Sequence, residues 1–310
     1  MINRELIRNK IVQLTYAYYQ NGSQNIDTAE KELFFSLSKA YDLYIIMLSL
    51  MVAITKEARR QHEIATVKAI RENAPQLSQR FIYNRFIMQL ETNEELNNLM
   101  SMQKLKWEDH PDIVQKLYKQ IVSSNFYEEY MASTDDDYAA DRELWRKIYR
   151  ILIENNDDID TMLEADSLYW NDDKAIVDSF VIKTIKRFEE SNKEKQQLIP
   201  EYEGEEERDF ARKLFRATIL NGTEYQKYMS EASRNWDFSR LAYMDIILMQ
   251  IAIAEMITFP TIPVNVTINE FIDLSKRYST PRSGSYINGM LDTIARYLID
   301  NGKMVKQMRS

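Results

Sequence analysis

The run Ile246-Ile247-Leu248-Met249-Gln250-Ile251-Ala252-Ile253-Ala254-Glu255-Met256-Ile257 limits what this chain can fold into more than any other stretch. It is too long for a typical strand, and Gln250 and Glu255 leave it too short and too polar to span a bilayer. Apolar residues surround it on every side, the pattern of a helix at the centre of a bundle. A turn follows, Phe259-Pro260-Thr261-Ile262-Pro263, and then two segments, Val264 to Tyr278 and Ser285 to Ile299. Each is apolar on one stripe only: Ile268, Phe271, Ile272 and Ser275 in the first, Tyr286, Ile287, Met290, Leu291, Ile294 and Leu298 in the second. One buried helix with two leaning on it makes a compact helical domain.

The rest of the chain reads the same way, so the fold class is all-α. Six Gly and six Pro in 310 residues leave little turn chemistry for a many-stranded sheet. Residues 3–20 form a first helix on the stripe Ile7, Ile11, Leu14 and Tyr18, ended by Asn21-Gly22. Thr28 to Ala69 is helical and dense in large apolar residues, and Pro75 breaks the chain after it. Further helices are predicted at Ser78–Gln89, Asn93–Met102, Pro111–Ser123, Asp141–Asn155 and Lys174–Ser191. Ser191 to Glu207, rich in Lys, Glu and Gln, reads as a linker. At an offset of 66 residues, Arg142, Arg146, Lys147, Arg150, Asn155, Ser167 and Trp170 recur as Arg208, Arg212, Lys213, Arg216, Asn221, Ser233 and Trp236. A duplicated helical unit accounts for that echo; two amphipathic helices agreeing by chance is the alternative.

Net charge is −8, unevenly spread. Residues 1–60 carry 8 Lys/Arg against 6 Asp/Glu, and 208–310 carry 14 against 10, whereas 61–207 carry 18 against 32. The ends are mildly basic and the middle is acidic. No cysteine and two histidines leave no thiolate or histidine cluster for a metal, and a reducing cytoplasm fits. The N-terminus lacks the apolar stretch of a signal peptide, and the longest uncharged apolar run, Leu43 to Thr55, is too short for a transmembrane helix, so no membrane association is expected. The acidic loops at Thr134–Asp137 and Asn155–Asp158 lack the spacing and central Gly of an EF-hand. No P-loop, nucleophile elbow or Rossmann unit occurs, and the chain reads as non-enzymatic, with no cofactor.

Within this frame, Ile262-Pro263-Val264-Asn265-Val266-Thr267-Ile268-Asn269-Glu270-Phe271-Ile272-Asp273-Leu274-Ser275-Lys276-Arg277-Tyr278 resembles the "VP-V-INE-V-LAK-F" signature of the bacterial NusB family. Tyr286-Ile287-Asn288-Gly289-Met290-Leu291-Asp292 is similar to its "FVNGVLD", and Leu248 to Met256 to its "LRLALYEL". Arg8 to Tyr16 follows the family's first helix. The resemblance implies an all-helical factor of transcription antitermination in ribosomal RNA operons, binding boxA RNA together with NusE, the small-subunit ribosomal protein, within the transcription elongation complex. It implies a NusB-like core of residues 1–60 and 205–302, with 61–204 an acidic helical insertion. Arg4, Arg8 and Lys10 would face RNA from the first helix, and Lys276, Arg277 and Arg282 from the end of the Asn269-Glu270 helix and the loop that follows. By similarity, Tyr16 and Asp245 would meet NusE on a face distinct from the RNA loop. Tyr278 and Tyr286 read either as stacking platforms or as core, and Asn269 as a ligand contact or a helix buttress. Gln250 stands where the family usually has arginine, and Ala254 where it has tyrosine, so RNA affinity is expected to depend on the partner. The rival reading is a protein–protein adaptor without RNA, its acidic insertion docking a basic partner. The surface shared by the first helix and the 276–285 loop separates the two: continuous and basic for RNA, broken by acids for the adaptor.

Overall fold

The computed structural model describes residues 1–22, 25–232 and 242–306. Among these the regular elements are helical throughout: α1 (Arg4–Gln20), α2 (Ile26–Arg71), α3 (Arg85–Thr92), α4 (Glu94–Ser101), α5 (Pro111–Val122), α6 (Asn125–Ala132), α7 (Tyr138–Ile148), α8 (Asp157–Asp166), α9 (Lys174–Arg187), α10 (Glu205–Leu220), α11 (Gly222–Ala232), α12 (Tyr243–Thr258), α13 (Val264–Tyr278) and α14 (Ser283–Asp300). They fall into two compact units. A core unit holds residues 2–37 and 202–310, and a middle unit holds 38–201 together with Met1. The first boundary therefore lies within α2, at 37/38; residues 38–60, expected with the core, pack in the middle unit.

In the core unit, α12 is the axle. Ile247 through Met256 are all buried, and α12 touches α1, α10, α11, α13 and α14. A helix apolar on every side needs neighbours on every side, and each buried Leu, Ile or Met contributes about 1.5–3 kcal/mol. α13 buries Thr267, Ile268, Phe271 and Ser275, and α14 buries Ile287, Met290, Leu291, Ile294 and Leu298 at helical spacing. Asn3 caps α1 through its side chain, accepting from the Leu6 amide at 2.9 Å. Gly22, at φ 61, turns the chain beyond it.

The middle unit is built on the remainder of α2, where Leu43 to Met51 pack with all but Ser49 buried. That helix is long and apolar enough to cross a membrane, but 67% of its apolar window is buried inside the fold, which makes it a core helix. Trp107 donates its indole N–H to the Ile46 carbonyl at 2.9 Å, and Trp145 stacks on Phe81 at 5.6 Å. Residues 78–84, expected as helix, are turns and coil ahead of Asn84, whose side chain caps α3 by accepting from the Ile87 amide at 3.1 Å. The predicted helix 141–155 continues α7 into a π-turn at 149–153, and α6 and the N-terminal residues of α7 were not marked by the periodicity.

The predicted linker is also different in kind. Leu198 and Ile199 are buried, the side chains of Gln89 and Asn93 donate to the carbonyls of Glu189, Lys193 and Gln196, and the Leu198 amide donates to Glu95 at 2.9 Å. Its charged residues face outward while its backbone is strapped to the middle unit, so polar composition alone misread it. The acidic loops are held by cations as well. Arg80 donates to the Ser133 and Asp135 carbonyls, Arg85 pairs with Asp136, and Lys116 pairs with Asp158. Of the internal echo, α7 and α10 share their buried register, with Leu144, Trp145, Ile148 and Tyr149 matched by Phe210, Ala211, Leu214 and Phe215. Ser233 and Trp236 lie outside the described residues.

Candidate nucleic-acid and partner interface

The site expected from the first helix divides into exposed and buried cations. Arg4 is exposed, with its guanidinium 5.1 Å above the Phe210 ring. One turn later Arg8 points inward. Its Nε donates to Glu255 Oε2 at 2.7 Å, Nη2 to Glu255 Oε1 at 3.0 Å, and Nη1 to Glu270 Oε2 at 3.0 Å. The Arg8 side chain is 5% exposed and that of Glu255 0%. Thr267 donates a further hydrogen bond to Glu255 Oε1 at 2.8 Å. A carboxylate in the most apolar helix of the fold requires a cation and several donors, and this geometry supplies them. Arg8 therefore ties α1 to α12 and α13 instead of facing outward from the first helix. Lys10 is buried too, its Nζ 3.4 Å from Gln13 Oε1.

At the far end of α13 the three loop cations are exposed. Lys276 pairs with the equally exposed Asp273 at 2.5 Å, Arg277 lies in the last turn of α13, and Arg282 stands at the cap position of α14. The turn between them is clamped from below. Asp245 is buried in the first turn of α12, accepting from Ser279 Oγ at 2.6 Å and from Ser283 Oγ at 3.1 Å. Ser283 Oγ also accepts from the Thr280 amide at 3.2 Å. Asp245 thus holds the cation-bearing turn, and the expectation of a face distinct from that turn is corrected. Tyr16 stays near the start of α12 through Tyr243, edge-on at 6.0 Å, and both residues are more than 40% exposed.

Tyr278 joins α13 to α1: its hydroxyl donates to Asn9 Oδ1 at 2.6 Å and accepts from Gln13 Nε2 at 2.8 Å. Tyr286 is half-buried, and burial, with the nearby Asp245 charge second, pushes its hydroxyl above the usual tyrosine value. Asn269 is exposed. Gln250, in the family's arginine position, is fully buried; its Nε2 donates to Tyr19 Oη at 2.7 Å and to the Thr218 carbonyl at 2.9 Å, and its Oε1 accepts from Gln226 at 3.2 Å. A neutral amide with four hydrogen-bonding positions satisfies that niche without a counter-ion. Ala254 is buried as well.

Sequence reasoning missed Glu255, Thr267, Ser279 and Ser283. Glu255 was signalled by its place, because a lone acid in a buried helix implies a partner. The two serines carried no such mark, since small hydroxyls near a turn are common. Along the line from Arg4 to the α13 end, Glu270 and Asp273 interrupt the cations, and Arg8 is neutralised between them.

A family model described as the NusB family matches residues 177–296. The transcription antitermination protein NusB of Salinibacter ruber is 35% identical over 135 residues, 42% of this chain and 84% of that relative. Its namesake in Geobacter sulfurreducens is 39% identical over 95 residues, 31% of this chain and 69% of the relative, and that of Chloroherpeton thalassium 36% over 102 residues, 33% and 48%. No solved structure matches the chain. With a relative 35% identical covered over 84% of its own length, and a NusB family model matching residues 177–296, the chain belongs to the NusB family.

Proposed function

We propose that this chain is a non-enzymatic transcription antitermination factor of ribosomal RNA operons, working in the cytoplasm, that binds boxA RNA together with NusE in the elongation complex. The observation that carries the reading is the set of exposed cations Lys276, Arg277 and Arg282 around a turn fixed by Asp245. Three cations on a pre-ordered turn are suited to the phosphates of a single strand, because no ordering of the turn opposes binding. Arg4 adds a further charge from α1, whereas Arg8 and Lys10 act within the fold. Tyr16 and Tyr243 offer NusE an exposed aromatic pair, while Asp245, buried beneath the cation-bearing turn, acts by holding that turn.

Reversing Lys276, Arg277 and Arg282 to Glu tests this. In fluorescence anisotropy with a boxA strand and NusE present, the salt dependence should flatten by about 0.7 per lost contact, roughly two in all. An unchanged slope would sink the assignment. The adaptor reading draws on Glu270 and Asp273, which break the basic line between Arg4 and the turn. It requires NusE affinity to survive the triple reversal while no boxA strand binds the wild type.

A further inference from the structure

The last turns of α2 carry a feature that neither the core unit nor the RNA reading uses. Ala58 is the last buried residue of that helix, and it continues to Arg71. Along this stretch Ile64, Val67 and Ile70 are 55%, 51% and 71% exposed. At about 100° per residue they occupy one arc of roughly 120°, and Glu63 and Arg71 fall inside the same arc at its two ends. Ile, Val and Thr at positions 64, 66, 67 and 70 are poor choices for a solvated helix. Such residues are explained by burial, not by propensity.

The charges on this segment say what covers the stripe. Lys56 pairs with Glu108, Arg60 with Glu57, Arg59 with Glu91 and Lys68 with Glu72. Among the described residues Glu63 and Arg71 make no ion pair within the chain. They are eight residues apart, about 12 Å along the axis. An antiparallel copy of the same helix centred on Val67 sets Glu63 of each chain against Arg71 of the other and Ile64 against Ile70, with Val67 on the two-fold. A parallel copy would set Glu63 against Glu63 and Arg71 against Arg71, which repel.

We propose that this end of α2 is a self-association surface, through which two copies of the chain pair antiparallel about Val67. Three apolar side chains and two reciprocal ion pairs make a small interface, so the dimer is weak and concentration-dependent.

Sedimentation velocity of the full chain, carried up to about 0.5 mM to reach a weak equilibrium, reads the association. Val67→Glu should abolish the dimer. Glu63→Arg alone and Arg71→Glu alone should each weaken it on the order of tenfold, and the double reversal should restore it. All these positions are exposed, so far-UV circular dichroism should be unchanged in each variant. The chain has no cysteine, which allows a register test. Ile64→Cys mixed with Ile70→Cys should oxidise to a crosslinked heterodimer faster than either variant crosslinks with itself. A chain monomeric throughout the range, a dimer indifferent to Val67→Glu, or a double reversal no better than the single ones would each overturn the proposal.

Discussion

Arg8→Ala tests the central packing claim, because it removes the cation that permits Glu255 to sit inside α12. Three hydrogen bonds are lost at once, two of them the parallel pair at 2.7 and 3.0 Å. Among the described residues Glu255 then keeps the Thr267 hydroxyl at 2.8 Å, while Glu270 is half-exposed and recovers water. Removing one member of a buried ion pair costs about 3–5 kcal/mol, since the remaining charge is left without compensation. Here the surviving hydroxyl puts the expectation near ~3 kcal/mol. Arg8→Met with Glu255→Met removes both charges, and much of that loss should return. Two units need not unfold in one step, so amide exchange in α1, α12 and α13 gives the local reading alongside urea titration. A loss below about 1 kcal/mol, with exchange in α12 unchanged, would refute the argument that this pair is needed in the fold. The consequence for function is direct: a charge reversal at Arg8 cannot serve as an RNA probe, because any effect on binding would follow from the damage to packing.

Other outcomes follow from the same geometry. Gly222→Ala sets a Cβ 2.7 Å from Tyr19 Oη and 2.8 Å from Gln250 Nε2, both held in hydrogen bonds, so a loss of about 1–3 kcal/mol in chemical denaturation is expected. Asp245→Ala leaves the Ser279 and Ser283 hydroxyls without their acceptor, and amide exchange across 279–283 should accelerate while α13 remains protected; a turn that exchanges as before would make the clamp irrelevant. Asp245→Lys should cost substantial stability, because an ammonium replaces a buried acceptor. In the middle unit, burial pushes the Asp178 carboxyl up to about 6, against the pull of Lys174 at 2.7 Å and Tyr149 at 2.6 Å. A carboxyl raised above its unfolded value of about 3.9 holds its proton more tightly when folded, so its contribution is full below about pH 4 and declines as pH rises through about 6. The stability of wild type minus that of Asp178→Asn should therefore fall by roughly 2–3 kcal/mol from pH 4 to pH 7, and a difference flat with pH would contradict it.

The core unit was legible because its signals were of the kind periodicity carries. An apolar run with no polar face becomes the axle α12, and the single stripes of α13 and α14 become the helices on it. Boundaries set by packing were harder to read. α2 passes from one unit to the other without any break in its pattern, so composition placed the division at 60 where contacts place it at 37/38. The 191–201 strap looked like linker because what holds it is backbone hydrogen bonding to Gln89, Asn93 and Glu95, side chains about a hundred residues earlier. At the site, sequence could identify cations but not their direction. Arg4 and Arg8 are one turn apart in the same helix; one faces water and the other a carboxylate almost 250 residues away.

The proposed role requires that the fixed turn recognise RNA together with its partner. The decisive measurement is the affinity of the wild-type chain for a boxA strand and for the same strand scrambled, each with and without NusE, at one salt concentration. A preference for boxA of at least about tenfold that requires NusE is expected on the proposed reading, since phosphate contacts alone are blind to sequence and two linked binding surfaces raise the effective affinity. Equal affinity for the two strands with NusE bound, or no binding to either, would contradict it.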